Sequence, residues 1–312
     1  MNCIVIKDLS KQFGQHLAVD NLSLTIETGE IFGLLGPNGA GKSTTIHIIC
    51  GLLQKSKGSM TILGHEQTGQ KKDDIRKNIG LVPQDIAVYD ELTAYENVHF
   101  FAGLYGFRGA DLKDKVLKAL AFVGLTEHMN DKPASFSGGM KRRLNIACAI
   151  AHEPQLVIMD EPTVGIDPQS RNYILESIKK LNQQGTTVIY TSHYMEEIEE
   201  ICTTIAIIDH GKVIAEGSKE ALKSMVTDVH KIRIEVGQEQ EIELSDLALI
   251  RGVKHVERTG DFIEITSAIE VTNLNFILIY LMEQTIEIKS VDAQKINLET
   301  VFLTLTGRTL RD

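Results

Sequence analysis

The chain has 312 residues, enough for one large α/β domain and a smaller second one, and its 43% hydrophobic content can supply a core for each. A formal net charge of −10 argues against the basic stripe that a broad nucleic-acid surface needs, so no nucleic acid is expected as a partner. The longest apolar stretches, such as Phe276 to Met282, fall well short of the ~20 residues of a bilayer span, and Met1 to Ile6 shows no secretory signal, so a cytoplasmic chain is expected.

Up to about residue 30, short β-like runs at Cys3–Asp8, Leu17–Val19 and Leu22–Ile26 alternate with turns and predict an antiparallel β element. Ile31–Leu35 reads as a buried strand, and Thr44–Leu53 as an apolar-rich helix that begins near Lys42. Between Asp90 and Glu127, Val116, Leu117, Leu120 and Val123 recur at helical spacing and predict a helical insert, set at about residues 85–150. Strand signals return at Leu156–Met159, Thr187–Tyr190 and Thr204–Ile208, with helical stretches between the first two, which implies a mainly parallel sheet. After a helix at Lys219–Met225 the pattern changes. Strand-like runs at Ile232–Val236, Val253–Arg258 and Phe262–Thr266, with a hairpin turn at Gly260-Asp261, precede a helix at Val271–Met282, a strand at Ile286–Val291 and a helix at Leu298–Thr306. The expected division is a domain over 1–220 and an α+β accessory domain over 229–312. The scattered Cys3, Cys50, Cys148 and Cys202 read as buried reduced thiols, and the clusters Lys71-Lys72 and Lys141-Arg142-Arg143 as solvated helix faces.

Gly36-Pro37-Asn38-Gly39-Ala40-Gly41-Lys42-Ser43-Thr44 meets every position of the phosphate-binding loop pattern G-x-x-x-x-G-K-[ST], between a buried strand and a helix. Its glycines let backbone N–H groups face phosphate oxygens, with the positive end of the helix dipole behind them. Lys42 is then the point charge on the β- and γ-phosphates, and Ser43 a hydroxyl ligand of Mg²⁺. The fold class follows: an α/β P-loop NTPase core of RecA type with an antiparallel β subdomain and a helical subdomain, plus a small C-terminal α+β domain. Downstream, the buried run Leu156–Met159 ends in Asp160-Glu161, where such enzymes carry a Mg²⁺-organising aspartate and a carboxylate that polarises the attacking water.

Phe136-Ser137-Gly138-Gly139-Met140, about twenty residues before that strand, resembles the L-S-G-G-Q signature of the ATP-binding cassette (ABC) family, with Phe136 and Met140 departing from it. Physically, a hydroxyl and glycine N–H groups at a helix start make an anion site without a lysine; alone, the same residues are an ordinary helix cap. The resemblance implies a head-to-tail dimer in which Ser137, Gly138 and Gly139 of one subunit cover ATP held by the other. Other marks arrive in the family's order: Gln84 matches the glutamine loop that reaches Mg²⁺ and water, Asp167 the loop joining two subunits, His193 the switch histidine at the γ-phosphate, and Phe13 the aromatic stacked on adenine. Leu92–Val98 with Phe101–Gly106, and the ending Leu298–Arg308, look like the ABC-2 type exporter cassettes, the group with multidrug transporters. The resemblance covers about residues 1–220 and implies an ATPase subunit that uses ATP and Mg²⁺, pairs with a second copy and lies on the inner face of the membrane through a separate transmembrane permease. An importer ATPase with a regulatory C-terminal domain is the alternative; a soluble non-transport ABC ATPase is a lesser one, since those carry two cassettes or a long coiled coil.

Overall fold

The computed structural model describes residues 1–67, 72–226, 229–237, 242–268, 271–294 and 297–307, and the chain forms two compact units, Met1–Lys219 and Glu220–Gly307. The first begins with β1 (Asn2–Phe13) and β2 (His16–Glu27), paired antiparallel. The three short runs read from the sequence merge into these two strands. Left-handed residues Asp8 (φ 52°) and Asn21 (φ 54°) accompany shifts of register, which bend the strands instead of ending them. β3 (Ile31–Leu35) is buried throughout and leads to α1 (Lys42–Ile49). The helix stops at Ile49, not at Leu53, because Gly51 takes φ 69° and the amides of Gly51 and Leu52 turn back to the carbonyls of Ile48 and His47. That glycine cap leaves Leu52 64% exposed.

β4 (Lys57–Ile62) and β5 (His65–Glu66) complete an antiparallel sheet in the order β2-β1-β4-β5. α2 (Lys72–Arg76) and β6 (Ile79–Val82) follow; the side chains of the Lys71-Lys72 cluster lie outside the described residues. The helical insert is α3 (Ala94–Leu104), started by a reciprocal Thr93/Glu96 capping box, then α4 (Gly109–Phe122), which buries Leu112, Val116 and Leu120 on one face, and α5 (Gly138–Ile150). β7 (Leu156–Asp160), α6 (Pro168–Gln183), β8 (Thr187–Thr191), α7 (Met195–Ile201), β9 (Thr204–Asp209) and β10 (Lys212–Gly217) finish the unit. Among the described residues the central sheet runs β10-β9-β3-β8-β7-β6, parallel except for the β10 edge. Parallel strands all end on the same side, so the loops after β6, β3, β7 and β8 emerge together along one edge. Phe32, Leu34, Ile158, Ile189 and Ile208 form part of the core that holds this sheet rigid beneath them.

α8 (Lys219–Val226) starts on the last residue of the first unit, and the second unit holds the rest of it with β11 (Val229–Val236), α9 (Leu244–Ala248), β12 (Val253–Thr259), β13 (Phe262–Ala268), α10 (Leu274–Glu283), β14 (Ile288–Gln294) and α11 (Leu298–Thr306). From β11 to β14 the order is β-α-β-β-α-β and the strands lie β12-β13-β11-β14, all antiparallel, the ferredoxin-like arrangement. Ile232, Ile234, Ile263, Ile265, Leu247, Ile277 and Leu281 pack between sheet and helices. Two boundaries differ from the sequence reading. α10 starts at Leu274 because Asn273, just before it, ties the chain to the Arg251 carbonyl and Ser267 hydroxyl, and Ile286 belongs to the helix cap, its amide bonded to the Leu281 carbonyl. All four cysteines are buried and free, as expected, and no helix among the described residues is long and apolar enough to cross a membrane.

Candidate nucleotide site

The phosphate loop fills the turn from β3 to α1. A Cβ on Gly36 would stand 2.3 Å from the Ile208 carbonyl oxygen, and Gly41, at φ 103°, has no room for one beside the Ala18 carbonyl at 2.5 Å. Backbone on backbone leaves space for glycine alone. Asn38 and Gly39 are exposed, Ala40 is buried, and Ser43 and Thr44 open the first turn of α1, Ser43 exposed. Lys42 is only 6% exposed; its Nζ donates to the Gly36 carbonyl at 2.7 Å and the Pro37 carbonyl at 3.1 Å. Burial lowers its pKa, an effect opposed by the carboxylates of Glu161 and Asp160. A cation is thus held ready over the loop with two acids near it.

Asp160 ends β7 and Glu161 follows in a left-handed conformation, φ 50°, which is uncommon for a residue other than glycine. Thr191, at the end of β8, ties the turn down: its hydroxyl accepts the Glu161 amide at 2.9 Å and donates to Asp160 Oδ1 at 2.7 Å. The Glu161 carboxylate meets His193 Nε2 at 2.5 Å on one oxygen and accepts from Gln84 Nε2 at 2.9 Å on the other. Burial pushes the Glu161 pKa up, against the pull of His193 and Lys42. Three sheet-end loops far apart in sequence therefore bring Gln84, Glu161 and His193 into contact beside the phosphate loop.

The remaining candidates lie apart from this cluster. Ser137 caps α5, its hydroxyl accepting the Met140 amide at 3.3 Å, and Ser137 and Gly138 are exposed. Gly139 is buried where a Cβ would meet Ser170 Oγ. Asp167 caps α6, and the bond from the Ser170 amide holds its carboxyl below the usual range. Phe13, 47% exposed, sits at the end of β1 with Lys11 Nζ 4.9 Å from its ring centre.

One expectation is overturned here: Lys141-Arg142-Arg143 is not a solvated helix face. Arg142 is 3% exposed and donates to the carbonyls of Pro83 at 2.8 Å and Gln84 at 2.6 Å, while Arg143 donates to the Val123 carbonyl and lies over Tyr173. α5 buries every residue from Leu144 through Ile150, and that packing carries Arg142 under the loop after β6, where loop carbonyls need a donor. Arg142→Met, which keeps the stem and removes the donors, should lower stability by about 2 kcal/mol or more and loosen Gln84. Thermal unfolding together with steady-state ATPase checks this; an unchanged midpoint and rate would contradict it.

A parallel sheet, a phosphate loop and acids at the end of the neighbouring strand define a P-loop nucleoside triphosphatase. Residues 19–164 match the family model described as ABC transporter. The chain is 45% identical over 311 residues to the linearmycin resistance ATP-binding protein LnrL of Bacillus subtilis, covering 98% of this chain and 99% of that protein. It is 34% identical over 306 residues to the daunorubicin/doxorubicin resistance ATP-binding protein DrrA of Streptomyces peucetius, covering 97% and 92%. Against the Nod factor export ATP-binding protein I of a Rhizobium strain, identity is 40% over 259 residues, covering 83% and 84%. Among solved structures it is similar to a dimeric post-hydrolysis ATP-binding cassette bound to ADP and Pi, with a TM-score of 0.63 and 30% identity over 69% of this chain and 98% of the other. This chain belongs to the ABC transporter family as an ATP-binding subunit, and it binds and hydrolyses ATP.

Proposed function

We propose that this chain drives an exporter of drug-like or other small molecules, docked from the cytoplasm onto a separate transmembrane permease and acting as a homodimer that ATP closes and hydrolysis reopens. The supporting observation is similarity to resistance and export ATP-binding proteins along almost the whole chain, second unit included. The second unit acts in this reading as an accessory domain that stabilises the dimer or couples it to the permease. The helical insert, with Gln84 at its base, is the docking face.

At each site Lys42 and the loop amides hold the β- and γ-phosphates, and Phe13 stacks on adenine. Mg²⁺ suits the donors present, since the Ser43 hydroxyl, the Asp160 carboxylate and the Gln84 amide oxygen are hard oxygen ligands, few enough to leave places for phosphate and water. Bound there, the ion would supply charge neutralisation across the β- and γ-phosphates. Glu161 accepts a proton from the attacking water as the water oxygen bonds to the γ-phosphorus in line and the bond from that phosphorus to the β–γ bridging oxygen breaks, releasing ADP and phosphate, and His193 keeps the γ-phosphate and Glu161 in register. The Ser137 hydroxyl with the Gly138 and Gly139 amides of the second copy caps that phosphate, and Asp167 spans the two subunits.

Affinity purification of the tagged chain from detergent-solubilised membranes of its own cell tests the reading. An integral membrane protein should accompany it, and the pair in inside-out vesicles should accumulate small amphipathic molecules when ATP is added. Recovery of the chain with no integral membrane protein, or ATP-driven movement in the opposite direction, would contradict the proposal.

A further inference from the structure

α7 reads as an acidic run, Glu196-Glu197 and Glu199-Glu200, yet one of its carboxylates is turned inward. The Glu197 side chain is 3% exposed, and a single oxygen, Oε2, accepts three hydroxyls: Thr163 Oγ1 at 2.9 Å, Tyr190 OH at 2.8 Å and Ser192 Oγ at 2.5 Å. The other oxygen, Oε1, has no hydrogen-bond partner and stands 3.9 Å from Arg171 Nε. Three donors on one atom require an anionic acceptor that brings no competing N–H.

The positions of those donors give the carboxylate a use beyond packing. Thr163 lies two residues after Glu161 in the stretch that runs to Asp167. Ser192 immediately precedes His193 and also accepts the Tyr194 amide at 3.0 Å, so its hydroxyl brackets the backbone of His193 on both sides. Arg171 stands in the first turns of the helix that Asp167 caps. With His193 Nε2 on Glu161, the contacts close a ring: Glu161, His193, Ser192, Glu197, Thr163 and back along the chain to Glu161.

We propose that Glu197 is a positioning residue for hydrolysis: one buried carboxylate sets His193 against Glu161 and ties that geometry to the Thr163–Asp167 segment, which faces the second subunit. The inference rests on the functional reading of His193 and Glu161 given above. Movement of the subunit-facing segment is then felt at the switch histidine through Thr163 and Ser192, with no contact between Glu197 and nucleotide.

A double-mutant cycle tests it. Glu197→Gln keeps the shape, but its amide either offers an N–H to three hydroxyls or turns that N–H toward Arg171. Measured by single-turnover hydrolysis in the full-length chain, this variant should slow the chemical step about tenfold or more while ATP affinity stays near wild type. In a His193→Ala background the same substitution should cost less than about twofold, because the residue it positions is gone. A loss that persists in full or in major part in the His193→Ala background, or an unchanged rate when Glu197→Gln is made alone, overturns the proposal. Ser192→Ala run through the same cycle gives an independent reading from the His193 end, and serves alone should Glu197→Gln not fold. If wild-type protein and all variants lack ATPase activity, the functional reading fails instead, and the cycle tells the two failures apart.

Discussion

Glu161→Gln should bind ATP and hydrolyse it at least about a hundredfold more slowly than wild type. The amide has the shape of the carboxylate and can still meet Gln84 and His193, but it cannot take a proton from water. Lys42 and the phosphate loop are untouched by the change, since Lys42 Nζ is anchored on the Gly36 and Pro37 carbonyls. The substitution also removes one of the two acids whose charge raises the Lys42 pKa against burial, so binding should be altered slightly, not abolished. ATP that cannot be cleaved should hold the dimer closed. Size-exclusion chromatography with ATP and Mg²⁺ should show the variant as a dimer where the wild type, turning over, is mainly monomeric. Hydrolysis near the wild-type rate together with no dimer would remove Glu161 from its assigned role.

Ser137→Arg should abolish turnover by a different route. Ser137 is exposed at the start of α5, so the arginine is accommodated in the isolated subunit, and losing the cap on the Met140 amide costs about 1 kcal/mol of stability. Across a closed dimer, the same bulky cation occupies the place of a hydroxyl donor to the γ-phosphate. A loss of about a hundredfold or more is expected, in line with removal of a donor to a developing charge. The decisive arm mixes Ser137→Arg with Lys42→Ala. If sites are shared between chains, the mixed dimer concentrates both defects in one site and leaves the other intact, and single-turnover hydrolysis rises above that of either variant alone. If each chain completes its own site, mixing restores nothing.

The candidate loops were legible because each motif is local. Gly36–Thr44, Asp160-Glu161 and Ser137–Gly139 each carry their residues within one short stretch, and alternating strands and helices imply a parallel sheet that lines such loops along one edge. What sequence could not supply was the identity of partners distant along the chain. Arg142 sits in a basic triplet that looks solvated, and its acceptors are carbonyls nearly sixty residues earlier. Glu197 sits in an acidic run whose neighbours are more exposed, and nothing in the spacing says that Thr163, Tyr190 and Ser192 converge on it. Thr191 is one more β-branched residue at a strand end until its hydroxyl is seen between Asp160 and the Glu161 amide. In the second unit, α9 spans five residues, too short for helical periodicity to register, and without it the ferredoxin-like order reads only as a generic α+β series. Helix ends shifted for a similar reason. At Ile49 and Leu274 the boundary was set by a left-handed glycine and by an asparagine bonded to a neighbouring loop, and neither acts through hydrophobic spacing.

In the proposed dimer, one chain's phosphate loop and carboxylates work with the other chain's Ser137-Gly138-Gly139. The structure of Glu161→Gln bound to ATP and Mg²⁺, by crystallography or electron cryomicroscopy, tests this most directly. A two-fold dimer is expected, with each γ-phosphate between Lys42 of one chain and Ser137 of its partner, and His193 and the substituted residue 161 beside it. Lys42 and Ser137 of the same chain on one γ-phosphate, or ATP seated away from Lys42, would contradict it.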